Sequence, residues 1–179
     1  MVIGLAGRRI DAADAPTARF PLRNLPLVEQ RLRDLLRGEP GVAMVSSAAC
    51  GADLLAQGIA GTLGMRRRVV LPFDRARFRR TSVIDRPGDW GPAYDRLLAE
   101  LDVTGDVVVL REGLDETAAY GATNLTILDQ ATALARQAGQ DVLAVLVWEG
   151  APRGPDDLTA AFGQEARRRR LSVKEILTL

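Results

Sequence analysis

The residues with the most chemical meaning lie in one short run, Ser46-Ser47-Ala48-Ala49-Cys50-Gly51-Ala52-Asp53. It joins an apolar, β-branched segment to a helical pattern, and every side chain ahead of Asp53 is small. A strand-to-helix turn of this kind leaves backbone N–H groups open at a helix N-terminus, where the helix dipole favours an anion. The hydroxyls of Ser46 and Ser47 add donors, while Gly51 and Ala52 let a ligand approach the backbone. The chemistry to expect is phosphate binding. The plainer reading of the same residues is a tight turn with Asp53 as a first-turn charge. Asp53 would repel a phosphate set directly against it, so its expected work is to accept from ribose hydroxyls or to orient the loop. Cys50 stands where a thiol pKa can be lowered, but with no histidine in the chain it reads as a small packing residue.

Three further loops carry polar groups. After the first apolar run comes Gly4-Leu5-Ala6-Gly7-Arg8-Arg9, which lacks the third glycine of the dinucleotide fingerprint, and no Walker A sequence occurs. Gly7 still permits close backbone approach, and Arg8 and Arg9 offer guanidinium groups to a phosphate; two solvated arginines are the alternative. After the third run, Asp74, Arg80, Thr81, Ser82, Asp89 and Trp90 have the make-up of a lid over a nucleotide, or of an ordinary surface loop. After the fourth, Glu112, Asp115, Glu116 and Tyr120 precede Asn124, which is expected at a helix entry, either pairing with a base or ribose or serving as a first-turn residue.

These loops need elements to hold them. Apolar runs at residues 2–6, 42–46, 68–73, 106–110 and 142–148, with a weaker one at 172–179, read as strands, the middle ones continuous as in strands buried on both faces. Helical patterns alternate with them. Asn24 precedes a helix with Pro26 near its start, Leu25, Val28, Leu32, Leu35 and Leu36 on one face, and Gly38 at its end. A second runs from about Gly51 to Gly64 with Leu55, Ile59 and Leu63 on one face, and a third lies within 92–101. A fourth is expected over about 123–137 with Leu125, Leu128, Ala131 and Ala135 inward, and a fifth over 156–169. Residues 75–91 form the one long irregular stretch. Alternation of this kind predicts a parallel sheet with right-handed crossovers, and ligands in such sheets sit beyond the carboxyl ends of the strands where strand order reverses.

Composition narrows the function. The chain has 179 residues, enough for a single domain over 1–179, with 24 basic against 23 acidic residues and a net charge of +1. A dedicated nucleic-acid binder carries a clear positive excess, so nucleic acid is not the expected partner. The absence of histidine removes imidazole bases, Ser–His and Cys–His dyads and imidazole-ligated zinc, and neither a metal nor a cofactor is expected. A lone cysteine, no membrane-length apolar stretch and an opening unlike a signal peptide lead to the expectation of a cytoplasmic protein with no membrane partner.

Several of these pieces together resemble the SMF/DprA–lonely guy (SLOG) superfamily of Rossmann-like domains. They are Gly7-Arg8-Arg9, the run from Ser46 through Asp53 to Leu54-Leu55-Ala56, Leu71-Pro72-Phe73, Thr81-Ser82-Val83, Asp89-Trp90 and Thr123-Asn124, in order over most of the chain. The resemblance implies binding of a nucleotide-type small molecule at these loops. The expected fold is a three-layer α/β/α Rossmann-like sandwich, doubly wound, with a mostly parallel sheet of about six strands and strand one central, and the leading function is a nucleotide-binding sensor or regulatory module. Some relatives cleave the N-glycosidic bond of nucleoside monophosphates and others bind single-stranded DNA. Two departures stand out: Arg8 replaces a histidine of close relatives, and Arg111-Glu112-Gly113-Leu114-Asp115-Glu116 stands where the phosphoribohydrolases have Pro-Gly-Gly-x-Gly-Thr-x-x-Glu. A nucleotide N-glycosidase using Asp53, Glu112 or Glu116 to steady an oxocarbenium-like state is therefore the alternative to a binder. A homo-oligomer is left open.

Overall fold

The computed structural model describes residues 1–110, 113 and 115–179. Six strands form one sheet in which every pairing is parallel: β1 (Val2–Gly7), β2 (Ala43–Ser46), β3 (Arg66–Leu71), β4 (Val107–Val109), β5 (Val142–Trp148) and β6 (Ser172–Leu177). Their order is β4-β3-β2-β1-β5-β6. β1 is thus central, and the chain winds outward from it in one direction before crossing to its other side at β5.

The helices are α1 (Leu25–Gly38), α2 (Ala52–Thr62), a one-turn α3 (Arg75–Phe78) that runs into a π-helical turn (Arg79–Val83), α4 (Gly91–Thr104), α5 (Glu116–Ala138) and α6 (Leu158–Arg168). Alternation along each strand explains the layers. Ile3, Leu5, Met44, Val69, Leu71 and Val145 point to the face covered by α1, α2 and α4, where Val28, Leu32, Ile59 and Tyr94 meet them. Val2, Ala6, Val45, Val70, Ala144 and Leu146 point to the other face, against Ile127, Leu128 and Ala131 of α5 and Phe162 of α6. The fold is a three-layer α/β/α sandwich of the Rossmann-like kind. Among the described residues no helix is long and apolar enough to cross a membrane.

Several local expectations shift. α5 begins at Glu116, two turns before Thr123, because Asp115 caps it by accepting from the Ala118 N–H at 2.9 Å. Asn124 is therefore inside a helix and not at its entry. The inward face of α5 carries Ile127 and Leu134 with Leu128, whereas Leu125 is exposed. In α2 the buried apolar residues are Ala52, Leu54, Ala56, Ile59 and Ala60, and Leu63 lies outside. Asn24 stands before α1 but makes no cap bond there; its amide donates to the Thr178 carbonyl at 2.9 Å. The stretch 75–91 is partly helical, and its Trp90 is buried with its indole N–H on the Pro87 carbonyl.

Candidate functional site

A cleft of about 470 Å³ opens at the carboxyl end of β1, where the strand order reverses, and takes residues from the segments after β1, β2 and β5. Its floor is the end of β1 and the segment Gly7, Arg8, Arg9 and Ile10. Its sides are the 46–53 turn with Thr81 and Ser82, and the starts of α5 and α6. Of the residues expected at a site, Gly7, Arg8, Arg9, Ser47, Asp53, Thr81, Ser82, Glu116 and Asn124 all line it. Ser46, Cys50, Gly51, Ala52, Asp74 and Arg80 do not.

Each of those six has its own place; Ala52 is fully buried, its N–H on the Arg8 carbonyl. The Ser46 hydroxyl is buried, donating to the Ser47 carbonyl at 2.7 Å and accepting from Gln57 at 2.9 Å. Cys50 is fully buried, and burial pushes its thiol up to about 11, the reverse of an activated nucleophile. Gly51 has φ +94, and a Cβ there would stand 2.8 Å from the Arg8 carbonyl oxygen and 2.9 Å from the Ile10 nitrogen. Its freedom lets the turn pack on the β1 loop; it does not face the cleft. Asp74 caps α3 through the Arg77 N–H at 2.9 Å, and Arg80 is exposed outside the cleft.

The turn also spends donors expected to be open to an anion. Ala49 N–H donates to Asp53 Oδ2 at 3.2 Å, Cys50 N–H to the Ser82 carbonyl at 3.0 Å, and Ala52 N–H to the Arg8 carbonyl at 3.1 Å. Three N–H groups of the turn are thus taken, so side chains carry more of any anion recognition than the sequence alone suggests. Arg8 and Arg9 differ sharply in what they have left. Arg8 is 4% exposed; its guanidinium is forked onto Asp157 at 2.7 and 2.6 Å, with Nε on Glu149 at 2.5 Å and Nη2 also on the Ala151 carbonyl at 3.3 Å. Burial works against the Arg8 charge, yet these two carboxylates outweigh it and hold its pKa above the usual value. Burial would also raise Asp157, but Arg8 and the N–H groups of Arg153 and Ala160 hold that carboxyl well below its usual range. The pair is a strut between the end of β1 and the cap of α6.

Arg9 is bound by one nitrogen alone. Its Nη1 donates to the Thr81 carbonyl at 2.9 Å and to both Asp85 oxygens at 3.0 and 2.8 Å. Among the described residues its Nε and Nη2 have no hydrogen-bond partner, leaving the side edge suited to bidentate oxyanion contact. Arg19, on the loop after β1, is arranged in the same way: its Nη1 bonds Glu149 and its other nitrogens have no partner among the described residues. Sequence reasoning missed Arg19, together with Arg86 and Arg153 on the cleft. The Asp11 carboxylate accepts from the N–H groups of Arg19 and Phe20, and the Asp11 N–H reaches the Phe20 carbonyl at 2.9 Å, closing residues 11–20 as a compact loop over the cleft. Counting lining residues, five arginines face three carboxylates, Asp11, Asp53 and Glu116.

Neutral polar groups and two carboxyls complete the lining. Ser82 and Tyr120 share a hydroxyl–hydroxyl bond of 2.6 Å, and the Tyr120 ring stands edge-on to Phe73 at 5.7 Å. The Asn124 amide donates to the Leu158 carbonyl at 2.8 Å, tying α5 to the start of α6. Glu116 is exposed, 3.8 Å from Arg77, and Glu112 lies outside the described residues. Asp53 is the carboxyl whose environment is altered most: burial pushes it up to about 7, with the Ala49 N–H and Arg9 opposing. No protein-family model matches the sequence, and no curated protein matches it.

Proposed function

We propose that the cleft binds a phosphate-bearing, nucleotide-type small ligand and that the protein acts as a sensor or regulatory module in the cytoplasm. The observation that carries this reading is the pair of unfilled guanidinium edges, Arg9 and Arg19, on a cleft at the reversal of strand order. Small-ligand sites are typically about 300–1,000 Å³, and about 470 Å³ lies within that range. Each arginine is backed by a carboxylate outside the cleft lining, Asp85 or Glu149, which holds it in place without filling its inner edge. The sensor role rests on the resemblance to SLOG domains carried by the Ser46–Asp53 run.

A second reading has one observation in its favour. An N-glycosidase needs a carboxyl tuned toward neutral pH by a dry site, and Asp53 has that environment. Against it, Glu116 is solvated and makes only a long ion pair. Thermal-shift measurement with AMP, GMP, CMP and UMP against the four nucleosides tests binding. Stabilisation by at least one nucleotide well beyond its nucleoside is expected, since a ligand at about 100 times its Kd adds roughly 2.7 kcal/mol. No response to any nucleotide at millimolar concentration would overturn the proposal.

A further inference from the structure

Asp53 is unusual among the carboxylates of the cleft. Asp11 is held by backbone N–H groups and Glu116 is exposed beside Arg77. Asp53 is 7% exposed, and among the described residues no arginine pairs with it. Its Oδ2 accepts one long hydrogen bond from the Ala49 N–H, and among the described residues its Oδ1 accepts none. It lines a cleft in which arginines outnumber carboxylates, where an anionic ligand is expected. A carboxylate there would repel that ligand; a carboxylic acid would donate to it.

We propose that Asp53 meets the bound ligand as a neutral carboxylic acid, its O–H donating to an acceptor oxygen of the ligand, so that binding to the ionised form takes up one proton from solvent and release returns it. This rests on the nucleotide-binding reading of the cleft. Other ionisable groups share the space. The loop after β1 brings Arg8, Arg9, Asp11 and Arg19, and the loop after the π-turn brings Arg86. α5 brings Glu116 and Tyr120, the segment before α6 brings Arg153, and Cys50 lies buried in the same turn as Asp53. Arg9 is the cation whose field reaches Asp53 and favours its charge, but burial outweighs it. Since the chain has no histidine, no imidazole titrates alongside. Occupation of the cleft removes remaining water and sets negative charge beside the carboxyl, and both effects favour the protonated form.

The test is calorimetric titration with AMP, GMP, CMP and UMP at about pH 6 and about pH 8, each in two buffers of different ionisation enthalpy, for the wild type and Asp53→Asn. If only the acid form binds, affinity falls about tenfold between these pH values for a group titrating near neutrality. Asparagine donates at every pH, so the fall should be about tenfold smaller in Asp53→Asn, where the ligand's own phosphate ionisation is all that remains. Buffer-dependent heats should report proton uptake in the wild type. Should Asp53→Asn not fold, infrared difference spectra of the wild type decide: a protonated-carboxyl band growing on addition of nucleotide is expected. Equal pH slopes in the two proteins, or no such band, would overturn this inference alone. Absence of binding by all four nucleotides would overturn the function and this inference with it.

Discussion

Gly7 and Ala52 meet at the junction of β1 and α2: a Cβ added to Gly7 would stand 2.4 Å from the Ala52 Cβ and 2.9 Å from the Val147 Cβ. The end of the central strand is thereby pressed between the first turn of α2 and the neighbouring strand β5. The close approach lets Ala52 N–H reach the Arg8 carbonyl, and it sets where the cleft floor begins. Gly51 completes the contact from the other side with its left-handed φ of +94 against the Arg8–Ile10 backbone.

Gly51→Val should therefore act on stability before it acts on binding. Strained backbone at a positive φ costs about 1–3 kcal/mol, and the clash with two main-chain atoms adds to it. Urea denaturation should show a clearly lowered midpoint. An unchanged midpoint would mean that the turn relaxes away from the β1 loop.

Arg8 and Arg9 should separate in opposite senses. Arg8→Ala leaves Asp157 buried without its main partner, so a loss of about 3–5 kcal/mol in stability is expected. Arg9→Ala should leave the melting temperature nearly unchanged, because exposed ion pairs contribute about 0–1 kcal/mol. It should weaken nucleotides about tenfold or more while sparing nucleosides, since a hydrogen bond to a charged group is worth about 1.5–3 kcal/mol. Equal weakening of both ligand classes would show that Arg9 only holds Thr81 and Asp85 in place.

Much of this fold was legible in the sequence, for a physical reason. Strands covered on both faces need uninterrupted apolar residues, and Val142–Trp148 announces itself that way. The start of α5 was not legible, because Ala118, Ala119, Gly121 and Ala122 give no periodicity strong enough to extend the helix back to its Asp115 cap. The 46–53 turn was recognisable as a wall of the site. The commitment of its N–H groups to Arg8, Ser82 and Asp53 was not, since those bonds depend on the approach of other loops. Likewise, nothing near residue 8 in sequence distinguishes Arg8 from Arg9; the distinction is made by Glu149 and Asp157.

Two carboxyls should give opposite pH dependences to the ligand-free protein. Asp53 is raised from 3.8 to about 7 by burial, so the folded state holds a proton that the unfolded state has lost, and stability falls as pH rises through that window. Asp157 is lowered, so its contribution is present above the unfolded pKa and disappears as pH falls through the folded one. Melting temperatures from about pH 3 to about pH 8 should show Asp53→Asn gaining on the wild type toward alkaline pH. A constant difference between the two proteins would mean that Asp53 ionises as it does in the unfolded chain.

Incubation with nucleoside monophosphates or NAD-type dinucleotides should release no free base above background. Chromatography after long incubation is the measurement. Steady release abolished by Asp53→Asn, Glu112→Gln or Glu116→Gln would promote the hydrolase reading over the binder.

The strut from Arg8 to Asp157 spans 149 residues, and the contact from Thr178 to the Arg19 carbonyl spans 159. Synthesis proceeds from one end at about 5–20 residues per second. For most of that time the nascent chain holds the floor of the cleft and the α2 turn, but lacks the β5–α6 wall and the anchor of the 11–20 loop. The cleft therefore gains its last wall and the anchor of its covering loop only after β5, α6 and β6 have all been made.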